Sequence, residues 1–95
     1  MKDLERLRVL GGRFKNRLPD QVISFSLGYI DFNEAPLALD ALCNYICEHD
    51  VEVSREEYGE IVSLNEIFGS PLGKKIISYL KNLCSGIQRS EYFKG

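Results

Sequence analysis

The chain has 95 residues, 44% of them apolar and 27% charged, and a net charge of −2. That is the size of one domain, since compact domains run to about 100–150 residues, and such a chain buries roughly 60–65% of its unfolded surface around one modest core. No apolar run approaches the roughly 20 residues of a membrane span. MKDLERLRVL lacks the apolar h-region and small-residue cleavage site of a secretory signal, so the expected compartment is the cytosol.

The small net charge hides a segregation. Residues 1–19 hold six basic and two acidic side chains, a net of +4. Residues 20–66 hold eleven acidic side chains against Arg55 alone, a net of −10. Residues 67–95 return to +4 with five basic and one acidic. An acidic block this dense steers basic partners and raises their association rate. The competing reading is that the basic ends fold back and partly neutralise it.

In chain order, Leu4, Leu7, Leu10 and Phe14 recur at helical spacing, which predicts a first helix over Asp3 to Asn16. Gly11 and Gly12 fall inside it, where each glycine costs roughly 1 kcal/mol. They imply either a kink or a close approach by another helix. A phosphate-binding role would need a preceding strand, which the sequence lacks. Pro19 and Asp20 open a second helix with a broad apolar face from Val22 to Ile30. Asn33 is the expected N-cap of a third helix over Pro36 to Ile46, the most apolar in the chain. Its Ala38, Ala41, Leu42, Tyr45 and Ile46, with Leu37 and Leu39, leave one outward ridge, Asp40, Asn44 and Glu48. Spacing of this kind belongs to a solvated ridge far more often than to a catalytic carboxylate pair.

After the acidic link His49 to Val53, Ser54-Arg55-Glu56-Glu57 reads as a capping box that starts a fourth helix. Tyr58, Ile61, Val62, Asn65 and Phe68 share its inner face, and Gly69 is the expected terminator. Ser70-Pro71 repeats the cap-and-proline start for a fifth helix, with Lys74, Lys75 and Lys81 outward and Gly86 at its end. The remaining tail, residues 87–95, docks as a last turn or frays. The fold class is therefore all-α, one compact bundle of about five helices spanning residues 1–95.

Cys43, Cys47 and Cys84 are an odd set with no framework spacing, which argues against a disulfide scaffold. With His49 they lack the tight knuckle of a structural zinc site, so small buried thiols are the simpler reading and no metal is expected. No Walker loop, G-x-S-x-G, HExxH or paired CxxC is present, so neither catalysis nor a cofactor or small-molecule substrate is expected. His49, the lone histidine, has no nucleophile motif beside it and fits a helix C-terminus or a partner contact. Nucleic-acid binding wants a basic stripe, and here the basic side chains sit at the two ends of an acidic middle. A protein-binding module remains. Its partner is expected to be basic, as proteins that handle RNA or DNA commonly are, and carboxylates placed where phosphates would lie can compete for such a partner's nucleic-acid site. Tyr45, Tyr58 and Tyr79 are candidate anchors.

Several short motifs carry a family resemblance. They are Gly12-Arg13-Phe14-Lys15-Asn16-Arg17-Leu18-Pro19, the turn from Ile30-Asp31 to Glu34, and Leu37-Ala38-Leu39-Asp40 to Leu42-Cys43. Glu48-His49-Asp50-Val51-Glu52-Val53-Ser54 and the Glu57-Tyr58 helix ending at Gly69 complete the set. This run, Leu10 to Gly69, resembles the MafI-type immunity proteins of bacterial polymorphic toxin systems, which are similar in size and role to the immunity proteins of contact-dependent growth inhibition. The segment from Ser70 onward extends past the family pattern. The resemblance implies a cytosolic antitoxin that binds the C-terminal domain of its cognate toxin and blocks its active site. Such toxins are often nucleases, including compact basic ribonucleases, which would suit the acidic block. The charge layout, not the family, suggests the contact residues: Asp40, Asn44, Glu48, Asp50, Glu52, Glu56, Glu57 and Glu60. The alternative is a small helical adaptor or regulator of another intracellular protein.

Overall fold

The computed structural model describes residues 2–84. Five α-helices follow one another: α1 (Lys2–Arg13), α2 (Asp20–Gly28), α3 (Ala35–Glu48), α4 (Arg55–Ile67) and α5 (Lys74–Leu83). A 3-10 turn, Tyr29–Phe32, joins α2 to α3. The architecture is the all-α bundle expected from the periodicity, with one isolated parallel bridge between Val53 and Cys84. The expectations for Gly86 and for the tail from Ile87 to Gly95 lie outside the described residues.

The third helix is the hub, packing against all four others. It buries Ala35, Ala38, Leu39, Leu42, Cys43 and Ile46. Each leucine taken fully out of water contributes roughly 1.5–3 kcal/mol. The first helix closes over this core with Leu7 and Leu10, and Phe14 and Leu18 follow in the link to α2. Gly11 lets α2 come close: a Cβ built there would lie 2.9 Å from Leu27 Cδ1, whereas one on Gly12 would meet nothing within 4 Å. The helix runs through both glycines and ends at Arg13, so close approach, not a kink, is the use of the pair.

Two helix starts depart from the sequence reading. Asn33 is not the N-cap of α3; it adopts a left-handed conformation (φ 60°) that closes the 3-10 turn, and Glu34 occupies the cap position. Asparagine tolerates that backbone better than most residues. The fifth helix begins at Lys74 behind Gly73, not at Ser70-Pro71. Ser70 (φ 61°) follows Gly69 (φ 85°), and both serve to end α4: Gly69 N–H donates to the Glu66 carbonyl and Ser70 N–H to that of Asn65. Leu72 then inserts into the core, its N–H held by Asn65 Oδ1 at 2.9 Å. At the end of α3, Asp50 (φ 50°) takes the place glycine holds after α4. The Val51 N–H donates to the Ile46 carbonyl and the Asp50 N–H to that of Cys47.

The capping box at α4 forms as the sequence indicated. Ser54 Oγ accepts from Glu57 N–H at 3.0 Å, and Glu57 Oε1 accepts from Ser54 N–H at 2.9 Å.

Candidate protein-binding surface

The acidic block divides into two parts with different fates. The α4 part is consumed by α1 and the chain that follows it. Arg6 forms a two-pronged pair with Glu60, Nε to Oε2 at 2.8 Å and Nη2 to Oε1 at 2.9 Å, and a further bond to Ser63 Oγ. Arg17 clasps Glu57 with Nη1 to Oε1 at 2.9 Å and Nη2 to Oε2 at 2.7 Å. It also donates to the carbonyls of Glu52 and Arg13. Arg13 adds contacts to Glu57 at 3.4 Å and to the exposed Glu56 at 3.5 Å. The Arg17 guanidinium lies 4.4 Å from the Phe14 ring centroid, stacked on an apolar surface while it holds the carboxylate.

These contacts correct the expectation for two site residues. Glu57 does not face a partner: its side chain is 3% exposed and serves as both helix cap and ion-pair acceptor. Burial pushes its pKa up, but hydrogen bonds from Arg17 and Ser54 and the charges of Arg17 and Arg13 outweigh that and hold it below the usual carboxylate range. Glu60 is only half-buried, yet both its oxygens are engaged by Arg6, whose hydrogen bonds hold its pKa low. Glu56 stays on the surface, 83% exposed, at the edge of this seam.

The α3 part faces outward. Asp40 and Asn44 are half-buried and Glu48 is exposed, one ridge at four-residue spacing. Asn44 Nδ2 donates to Asp40 Oδ1 at 3.0 Å and to its carbonyl at 2.7 Å, which orients that carboxylate. Asp50 and Glu52 are exposed beyond the helix end, and Asp50 accepts a hydrogen bond from the Tyr79 hydroxyl. That bond raises the Tyr79 pKa above its ordinary value. Among the described residues, no ion pair reaches Asp40, Glu48, Asp50 or Glu52.

A second ridge runs beside the first, made of three residues from the apolar stripe of α3 and of His49 from the link after it. Leu37 is 45% exposed, Ala41 and Tyr45 are half-buried, and His49 is exposed. The apolar stripe on α3 is wider than one core-facing side requires, so its far edge stays in solvent. Phe25 from α2, 55% exposed, stands against this edge. Its ring centroid is 5.5 Å from Tyr29 and 6.4 Å from Tyr45, edge-on to both, and Tyr45 is 6.5 Å from His49. The partly alternating VISFSL segment left Phe25 on the broad apolar face of its helix, and only the packing of α2 on α3 turns it out. Of the other candidate anchors, Tyr58 is half-buried against the core and Tyr79 is 44% exposed.

The thiols play a packing role. Cys43 and Cys84 are buried, and burial pushes the Cys43 pKa up. Cys47 is half-buried, its pKa pushed up to about 11 chiefly by burial. No group of three or more His, Cys, Asp or Glu side chains that could hold a metal ion occurs among the described residues. None of the helices described is long and apolar enough to cross a membrane. Comparison with family models, curated proteins and solved structures gives no match to this chain.

Proposed function

We propose that this protein is a toxin-neutralising immunity protein that binds a basic nuclease toxin domain over the outward side of α3 and the link after it. One observation carries the reading. The basic N-terminal segment pairs with Glu56, Glu57 and Glu60 of α4, yet leaves Asp40, Glu48, Asp50 and Glu52 facing outward with no ion pair among the described residues. Carboxylates that no cation of the described residues pairs with are suited to a basic partner, which they would steer by long-range attraction. Set where phosphates would otherwise lie, they would close a nuclease's substrate site. The resemblance of Leu10 to Gly69 to MafI-type immunity proteins supports the same assignment.

The test begins with the product of the neighbouring upstream gene. It should co-purify with this protein, and this protein should protect cells that express it. The double reversal Asp40→Lys/Glu48→Lys should weaken binding at least about tenfold, because like charges set against a basic face cost several kcal/mol, and helicity should be kept. Glu60→Lys is the wrong probe, since it breaks the Arg6 pair that docks α1 on α4. Failure to protect against that toxin would sink the proposal. Capture of a cellular regulator instead would favour the adaptor alternative.

A further inference from the structure

We propose that the aromatic row across α2 and α3, Tyr29–Phe25–Tyr45–His49, is a docking strip for arginine side chains of a basic partner protein. The proposal rests on the basic-partner reading above for the sign of the partner's charge, and on the ring geometry for its chemistry.

Four rings follow one another at centroid spacings of 5.5, 6.4 and 6.5 Å: Tyr29 from the 3-10 turn, Phe25 from α2, Tyr45 from α3 and His49 just past its end. The inner edges of Tyr29 and Tyr45 pack on the core, so the rings are held in place before any partner arrives. Tyrosine and phenylalanine have few rotatable bonds, which keeps the entropy lost on binding small. Phe25 lies at the centre of the row and is 55% exposed. Glu48 follows Tyr45 by three residues on the same helix, a spacing that puts Cβ atoms roughly 5–6 Å apart.

The molecule contains a template for what such a pair of groups holds. Arg17 lies 4.4 Å over the Phe14 ring and delivers two hydrogen bonds to Glu57. One ring and one carboxylate thus hold one guanidinium. The outer side of α3 repeats the ring and the carboxylate, and among the described residues no arginine is stacked there. A guanidinium suits this pairing better than an ammonium ion, because its planar fork stacks on a ring while donating two parallel bonds. The flanking carboxylates disfavour nucleic acid and anionic lipid as occupants. An arginine-bearing protein surface is what remains complementary in both charge and shape.

The test titrates the full chain with a deca-arginine peptide and follows side-chain NMR signals, with deca-lysine and deca-glutamate peptides as controls. Deca-arginine should shift the ring resonances of Phe25, Tyr29 and Tyr45 and bind at least about threefold tighter than deca-lysine. Phe25→Leu and Tyr45→Leu keep apolar volume but remove the ring, and each should cost roughly 3- to 10-fold in deca-arginine affinity. Circular dichroism would show that both variants remain folded. Glu48→Gln should weaken both cationic peptides alike. Equal affinity for the two cationic peptides, unmoved ring signals, or wild-type binding by both leucine variants would overturn the strip. So would self-association of the chain that Phe25→Leu abolishes, since the row would then bind a second copy. These readouts need no toxin, so the strip and the immunity assignment can fail separately. If a toxin is found and the leucine variants protect fully, the strip fails while the immunity reading stands.

Discussion

The clasp between Arg17 and Glu57 offers the sharpest test of how the chain after α1 is joined to α4. Glu57, 3% exposed, receives two bonds from Arg17 and one from Ser54 N–H, and Arg13 approaches to 3.4 Å. Replacing it with alanine removes the N3 half of the capping box, worth about 1 kcal/mol. It also leaves Arg17 without its carboxylate. A fully buried orphaned charge would cost about 3–5 kcal/mol, but the Arg17 side chain is 34% exposed and water can partly replace the lost acceptor. A further cost of about 1–2 kcal/mol follows, or roughly 2–3 kcal/mol in all. Glu57→Gln should lose less, since glutamine also serves at that position of a capping box. For a domain of this size, 1 kcal/mol moves Tm by about 4–8 °C, so Glu57→Ala should melt roughly 10 °C or more below the wild type. A double-mutant cycle with Arg17→Met, read by urea unfolding, should give a coupling energy of about 2 kcal/mol. A coupling below about 0.5 kcal/mol would refute the clasp as the joint between the two segments.

The same pair fixes the sign of the acid response. The Glu57 and Glu60 pKa values are lower folded than unfolded. Their stabilisation is therefore fully present above the unfolded glutamate value of about 4.3 and is lost as pH falls through the folded values. Urea midpoints should drop between about pH 5 and pH 3, and less steeply in Glu57→Gln. The paired glycines should respond oppositely to alanine. Gly12→Ala has open space and should gain up to about 1 kcal/mol of helix propensity, whereas Gly11→Ala must displace Leu27 and should gain nothing or lose stability in the same melts. Asp50→Asn should keep or slightly raise stability, because asparagine tolerates the left-handed backbone at the end of α3 and its Oδ1 can still accept from the Tyr79 hydroxyl, and a clearly lower Tm would contradict that. Ellman's reagent should find Cys43 and Cys84 inert until the chain unfolds, with Cys47 the slow-reacting thiol of the native state.

Much of the fold is local and was legible for that reason. A capping box is a contact over three residues, so Ser54 and Glu57 announce the start of α4 wherever the helix later docks. Gly69 marks the end of α4 because few other residues tolerate its backbone. The hub role of α3 followed from an apolar stripe too wide for a surface helix. The missed boundaries arose where a longer-range contact overrode the local signal. Ser70-Pro71 looks like a helix start, but Asn65 holds Leu72 and delays α5 to Lys74. Asn33 looks like a cap, but the 3-10 turn before it needs a left-handed residue at that position.

The candidate surface shows the same division more sharply. Composition and order along the chain determined that a basic segment, an acidic block and a second basic segment would meet in one small domain. They also determined that the meeting would be helical, since the apolar spacing is. Which carboxylates would be spent inside and which would face out was decided only in three dimensions. Arg6 and Glu60 are 54 positions apart, and Arg17 and Glu57 are 40 apart. No pattern of neighbouring residues encodes those pairings; they arise when α1 and the chain after it pack on α4. The tertiary structure likewise brought Phe25 of α2 beside Tyr45 of α3 and turned the far edge of a core stripe into an exposed aromatic row. A hydrophobic side chain is driven out of water wherever a partner surface exists, and the sequence alone does not say where that surface ends.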